Sequence, residues 1–522
     1  MEAPTSIQEA VLVEAGIIRA VGTNKQILSL KDSQTKCIDL MGKTMLPGLI
    51  DAHSHFIGVA NALAQCDLSG AENFSDIVRL MKNFITQNAI PAGQWVYGRQ
   101  YDDNFLAEGR HPTKDLLNEI STDHPIMIAH ASGHMGVVND MALALMGLND
   151  DVADPSGGHY QKDQNGHLTG YMEEKAFIAF QNAVPSLDFE RLLQLMEKAQ
   201  MIYASYGITT IQEGMVTAPM LQLLEAAGQR GILKLDVVAY LDLASGRQEA
   251  ALHSPYWQRY THHLKIGGYK MFLDGSPQAR TAWLTEPYVD QDSCGYPAQT
   301  DEKVYAMIRT ALTDQTQILA HCNGDAAAEQ YLQQFTKVVY ENHFTQTFRP
   351  VMIHAQMVRE DQLAKMPALD MIPSFFIAHT YYWGDVHIRH LGWQRASRIS
   401  PAKTALAYGL PLTFHQDSPV IAPNMMQTIA CACRRVTKNG VVLGADECIS
   451  VWDALLAVTL NGAHQYFEEA EKGTISVGKK ADLVILDRDP LITEPQKLSD
   501  IEVLMTIKDG AIIYQKKGTK PL

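Results

Sequence analysis

From residue 49 to about residue 467, short and nearly continuous apolar runs alternate with longer stretches of helical period. Runs of this length, bounded by turn residues, read as buried strands. Eight occur, around Leu49–Asp51, Ile208–Glu213, Leu235–Leu241, Ile266–Leu273, Gln317–Ala320, Pro350–Ile353, Met371–Phe376 and Pro411–Phe414. Eight strands alternating with helices predict an α/β fold, a (β/α)8 TIM-like barrel over residues 49–467. The segment at about 66–200 separates the first two runs and is expected to be an insertion with elements of its own, including Gln94–Arg99 and Pro125–Ala129. The two ends read differently. Ala10–Glu14, Gly16–Val21, Lys36–Leu40, Ala481–Leu486, Ile501–Ile507 and Ala511–Tyr514 are short strand patterns separated by turn residues. They predict that residues 1–48 and 468–522 pair into one small β-sandwich domain.

Composition narrows the function classes. With 46% hydrophobic and 19% charged residues, the 522-residue chain has the balance of an ordinary globular protein. A net charge of −15 argues against a phosphate-backbone partner, which needs a concentrated basic surface. Seven cysteines, an odd number, do not form a disulfide framework, and Cys431-Ala-Cys433 lacks metal-binding spacing. No leader pattern opens the chain and no apolar run reaches membrane-spanning length. The expectation is a cytoplasmic protein acting on a small molecule, with no nucleic-acid or membrane partner; assembly into a homo-oligomer is left open.

The candidate chemistry lies where the apolar runs stop. Pro47-Gly-Leu-Ile-Asp-Ala-His-Ser-His55 ends the first run in His53 and His55. Two apart on a strand, both imidazoles share a face and can reach one metal ion. The fourth run carries Lys270, the fifth ends in His321, the sixth in His354, and the eighth in Asp417. One such histidine alone is ordinarily a packed core residue. Four of them with an aspartate, all at the strand ends where a barrel carries its active site, point to a divalent metal. Histidine and carboxylate together suit zinc. Gly473-x-x-x-x-Gly478-Lys479 is a near match to a phosphate-binding loop, but Lys480 stands where Ser or Thr is needed, and a strand pattern follows.

These motifs resemble the metal-dependent amidohydrolase superfamily, and within it the branch of N-substituted formamide deformylases (amidohydrolase family 3). The resemblance covers nearly the whole length. It rests on Gly16–Gly22, Pro47–His55 and Gly473–Leu486, and for the branch on Trp95–Asp102, Gly133–Asn139 and Asp274–Ala282. It implies that His53 and His55 hold the more buried metal and that His321 and His354 hold a second. It also implies that Asp417 is the catalytic aspartate, and that Lys270 bridges one or two ions if carboxylated. An unmodified lysine would repel a cation, so Glu174 and Glu213 stand as rival carboxylates. Two departures from the family pattern stand out. His415-Gln416 replaces the usual small residue before the aspartate, which is expected to narrow the pocket or alter the ligands' support. Most of the strand that normally precedes Glu9 is missing, which is expected to leave an open sheet edge.

The implied reaction is hydrolysis of a C–N bond in an amide or N-substituted formamide by a metal-activated hydroxide, with Asp417 moving the proton. His379 and His134 are candidates for binding the carbonyl oxygen, and Arg280 for a polar substrate group. Trp95, Tyr101 and Tyr381-Tyr-Trp383 are aromatic candidates for an apolar substituent, although such residues also serve simply to pack an insertion on a barrel. A deaminase or cyclic-amide hydrolase on the same barrel is the alternative. The deaminase signature, a glutamate soon after a strand-end histidine, is absent after His321 and His354, and Asp325 looks like a helix N-terminal residue. A non-catalytic scaffold is the remote alternative, disfavoured because the ligand set is intact.

Overall fold

A computed structural model describes residues 7–103, 105–131, 135–155, 158–185, 187–247, 249–289 and 291–518. The chain divides into two compact units, Met1–Val59 with Met196–Leu522, and Ala60–Leu195.

The larger unit is built on one eight-stranded parallel sheet. In chain order its strands are β1 (Leu49–Ile50), β2 (Ile208–Val216), β3 (Asp236–Asp242), β4 (Leu264–Phe272), β5 (Gln317–Cys322), β6 (Val351–His354), β7 (Ile372–Phe375) and β8 (Thr413–Phe414). Each pairs in parallel with the next. All eight expected runs are therefore strands. Their residues are almost uniformly buried, as expected where apolar partners cover both faces of a sheet. Helices Ala218–Gln229, Asp301–Thr313 and Asp325–Glu341 connect successive strands.

The sheet curls until its two edges approach. His55 N donates to Ser418 O at 2.8 Å, just beyond the ends of β1 and β8. Gln465 spans the same gap, donating to Ala52 O at 2.8 Å and accepting from the Thr413 hydroxyl at 2.7 Å. This arrangement fits a TIM-like barrel.

The terminal segments form a hairpin, Ala10–Glu14 with Ile17–Gly22, and a four-stranded antiparallel sheet of Thr44–Pro47, Leu483–Leu486, Val503–Lys508 and Ala511–Gln515. Both contribute to one apolar cluster, including Ile18, Leu483, Ile485 and Met505. Among the described residues Ala10–Glu14 pairs only with its hairpin partner, so that edge is open. Lys36–Leu40, expected as a strand, is irregular. Cys37 is exposed there and Asp39 accepts the Met41 amide, which turns the chain; the pairing strand begins only at Thr44.

A buried ionic network lies at the amino-terminal end of the strands. Asp236, first in β3, receives Lys472 at 2.6 Å and Lys508 at 3.0 Å. Lys472 also meets Glu468 at 2.7 Å, Lys508 meets Asp482 at 3.1 Å, and Lys265 pairs closely with Glu468.

The smaller unit carries a six-stranded mixed sheet, in spatial order Gln65–Asp67, Val96–Tyr101, Ile126–His130, Met135–Val138, Leu168–Glu174 and Gly158–Lys162. The first three strands run parallel and the remainder antiparallel. Helix Phe74–Gln87, capped by the Asn73 side chain, buries Ile77 and Met81 against it. Among the described residues no helix is long and apolar enough to cross a membrane.

Removing Lys472 leaves Asp236 and Glu468 short of a cation in a site closed to water, a loss of ~3–5 kcal/mol for a broken buried pair. Lys472→Met is therefore expected to lower the thermal unfolding midpoint clearly, read by circular dichroism. An unchanged midpoint would contradict the stabilising role given to this network.

Candidate metal centre

The carboxyl ends of β1, β4, β5, β6 and β8 deliver His53, His55, Lys270, His321, His354 and Asp417 to one place. The two leading histidines do not lie on β1, as expected, but in the turn after it. The strand stops at Ile50 because the following carbonyls are claimed by side chains. Tyr466 donates to Asp51 O at 2.7 Å, and Gln212 and Gln465 both donate to Ala52 O. The turn nonetheless brings the His53 and His55 rings edge to face, 5.1 Å apart.

Hydrogen bonds to one ring nitrogen leave the other facing inward. His53 Nδ1 lies 2.6 Å from Gln212 Oε1; since the Gln212 amide nitrogen donates to Ala52 O and Tyr466 OH, its oxygen must accept, and His53 Nδ1 carries the proton. His55 Nδ1 donates to Gly214 O at 3.2 Å. His321 Nε2 donates to Gly275 O at 3.1 Å. The free nitrogens converge. His53 Nε2 and His55 Nε2 lie 3.4 and 3.2 Å from Asp417 Oδ1, and His354 Nε2 lies 3.8 Å from Asp417 Oδ2 and 3.1 Å from His321 Nδ1. Zinc–nitrogen bonds of ~2.0–2.1 Å in a tetrahedron put neighbouring donor atoms ~3.3 Å apart. His53, His55 and Asp417 alone offer three donor atoms all within 4.8 Å of one another.

Lys270 is fully buried in β4, with Nζ 3.1 Å from His53 Nε2, to which it donates. Burial brings its pKa down to about 7, against the pull of the Asp417 carboxylate. Burial, with the Lys270 charge, pushes His321 down to about 3, and burial holds His53 and His354 well below the ordinary histidine value. These imidazoles are neutral near pH 7 and keep their lone pairs. Burial alone would raise Asp417, but its hydrogen bond to His55 and the surrounding imidazoles hold it well below the carboxylate range. His354 and Asp417 both have left-handed backbone, at φ 69° and 53°. Such strain in non-glycine residues concentrates at functional sites. The cluster opens on the side of His55, whose side chain is 29% exposed.

Glu213 is buried behind His55, with Oε2 accepting the Ile57 amide at 2.5 Å and Oε1 3.9 Å from His55 Nδ1; burial raises its pKa to about 7. Glu174 is exposed and belongs to the smaller unit. His379 opens the short helix His379–Tyr382 beyond β7, buried, with its ring 6.1 Å from that of His354 and 5.3 Å from Trp383. Arg280 lies half-buried in the loop after β4, its amide donating to Pro277 O. Trp95 stacks on Tyr97, and Tyr101 is wholly buried in the core of the smaller unit, so Tyr101 is a packing residue there and not a pocket wall. His134 lies outside the described residues. Asp325 is held by Arg359 at 3.0 Å and by the Thr285 amide at 3.0 Å.

Three residues at this centre, Gln212, Asp274 and Gly214, were given no role from the sequence, and His415 only as a departure before the aspartate. Gln212 orients His53. Asp274 accepts the amides of Trp283, Asn323 and Gly324 and lies 3.7 Å from His321. Gly214 supports both leading histidines. His415 lies beside His53 and His354, each ring 5.1 Å away, whereas Gln416 turns outward to Thr428 and Met425 and narrows nothing. The alternation His415-x-Asp417 was a usable signal, since it repeats the spacing of His53-x-His55.

A family model described as "Amidohydrolase family" matches residues 36–514. An N-substituted formamide deformylase of Arthrobacter pascens is 26% identical over 543 residues, covering 99% of this chain and 97% of that protein. Protein LONG AFTER FAR-RED 3 of Arabidopsis thaliana is 26% identical, covering 97% and 88%. The crystal structure of an uncharacterized metal-dependent hydrolase from Pyrococcus horikoshii OT3 superposes with a TM-score of 0.76 at 26% identity, covering 93% of this chain and 95% of that one.

A side chain at Gly214 would put its Cβ 2.8 Å from His53 Cε1 and 3.4 Å from His55 Cε1. Gly214→Ala is expected to displace both rings and weaken metal binding by ~10–100-fold, the scale seen when ligand support is lost. Titration with a competing chelator measures this; an unchanged affinity would show that the ring positions do not depend on this residue.

Proposed function

The chain belongs to the amidohydrolase family, and from that premise we propose that it is a metal-dependent hydrolase of a C–N bond in an amide or N-substituted formamide. The observation that carries the reading is the convergence of three imidazole nitrogens, of His53, His55 and His354, on Asp417, with His321 Nδ1 beside His354. The donor set fits a divalent ion, with zinc as the proposed metal, in one or two copies per chain. His53, His55 and Asp417 would hold one ion, and His321 and His354 a second. Lys270 would bridge them once carboxylated: a buried amine with a pKa of about 7 is substantially neutral near physiological pH, which reaction with carbon dioxide requires. When bound, such an ion polarises a carbonyl and lowers the pKa of water from ~15.7 to about 7.

The chain's own residues account for proton movement and orientation. Asp417 is ionised at neutral pH and stands on the open side of the cluster beside His55. It would accept the proton of the attacking water and return it to the departing nitrogen. Burial holds His379 well below the ordinary histidine value, so it is neutral and would donate a hydrogen bond to the substrate's carbonyl oxygen. Trp383, packed against His379, would form an apolar wall for the substituent on nitrogen, and Arg280 would meet a polar group beyond it.

Similarity to the deformylase along 99% of this chain supports the formamide class. A deaminase reading lacks its acid, because Asp325 is committed to Arg359 and Thr285. On the same reading the curled sheet is a closed (β/α)8 barrel over 49–467, interrupted at about 66–200. Residues 1–48 and 468–522 form the β-sandwich.

Two variants test the roles. Asp417→Asn is expected to lower kcat by ~10²–10⁴-fold on an N-substituted formamide while metal content is retained. Turnover at the wild-type rate would remove Asp417 as the proton carrier. Lys270→Ala is expected to lose one metal equivalent by elemental analysis, and wild-type loading should rise with bicarbonate. Full metal content in that variant would refute the bridge.

A further inference from the structure

The eighth strand brings one more imidazole to the cluster than the amidohydrolase pattern requires. His415 lies two residues before Asp417, just beyond β8, with its ring beside those of His53 and His354, while Gln416 between them donates to Thr428 at 2.8 Å. Its ring is fully buried. Its centroid lies 5.1 Å from that of His53 and 5.1 Å from that of His354. Those separations match the pairs already converging on a common point, 5.1 Å for His53 with His55 and 4.5 Å for His321 with His354.

Neither ring nitrogen of His415 makes a hydrogen bond of ordinary geometry among the described residues, although the Ser374 backbone lies beside the ring. A buried imidazole without a partner is costly, because both the donor and the acceptor have lost water. The neighbouring histidines solve this differently: His53 and His321 each satisfy one nitrogen with a protein oxygen and turn the other inward. Phe376 closes another side, 5.5 Å away. A purely apolar residue would fill this site at less cost, so the ring's polarity calls for a binding partner.

We infer that His415 is an additional nitrogen ligand of the metal centre, standing between the His53 and His354 halves. The inference rests on the metal-dependent reading above and adds a ligand to it. It also gives the centre a neutral donor near Lys270, so the two halves remain linked when that amine is not carboxylated.

The test is X-ray absorption spectroscopy on the full chain loaded with zinc, alongside elemental analysis. The number of imidazoles per metal times metals per chain is expected to include His53, His55, His321, His354 and His415 in the wild type, and to fall by one in His415→Phe. Zinc affinity in that variant is expected to drop at least ~10-fold. A wild-type count of four imidazoles, or a His415→Phe protein with unchanged count and affinity, would overturn the inference while leaving the centre standing. If His415→Phe does not fold, the wild-type count alone decides. A wild-type chain that binds no zinc would sink the metal-dependent reading itself, a result distinct from either.

Discussion

Asp417 is buried among imidazole nitrogens that present lone pairs to it, an arrangement that needs a cation. His53 and His55 approach its Oδ1 at 3.4 and 3.2 Å, and His354 approaches Oδ2 at 3.8 Å. Lone pairs facing a carboxylate gain nothing from one another. Without a cation, two groups ease the conflict: His55, whose pKa the Asp417 carboxylate lifts above the ordinary value against burial, and the Lys270 amine against His53 Nε2. Left-handed backbone at His354 and Asp417 adds strain that only the assembled centre justifies.

The scaffold divides its labour between the two ends of the strands. At the carboxyl ends, Gln212, Gln465 and Tyr466 take the carbonyls of Asp51 and Ala52, bridge β1 toward β8, and set the tautomer of His53. Residues that hold the barrel together there are the same ones that aim a ligand. At the amino ends, the lysines of the C-terminal segment neutralise Asp236 and tie the terminal β sheet to the barrel. This matches the general rule that chemistry gathers at one face of such a barrel and stability at the other.

What was legible in the sequence follows from the same physics. The eight parallel strands stood out because burial on both faces makes them continuous apolar runs. The candidate ligands stood out because histidine, lysine and aspartate recur within or just beyond such runs. Lys36–Leu40 misled because its alternating pattern resembles a strand, although Asp39 turns the chain and Cys37 is exposed. The turn placing His53 and His55 was hidden, since the side chains that end β1 come from residues 212, 465 and 466.

Anomalous diffraction from crystals of the metal-loaded chain, at the absorption edge of the bound metal, tests the central claim most directly. The account predicts a strong peak enclosed by His53, His55 and Asp417, with density extending from Lys270 Nζ toward it. A chain fully competent for turnover, with no anomalous peak at these residues, would contradict it.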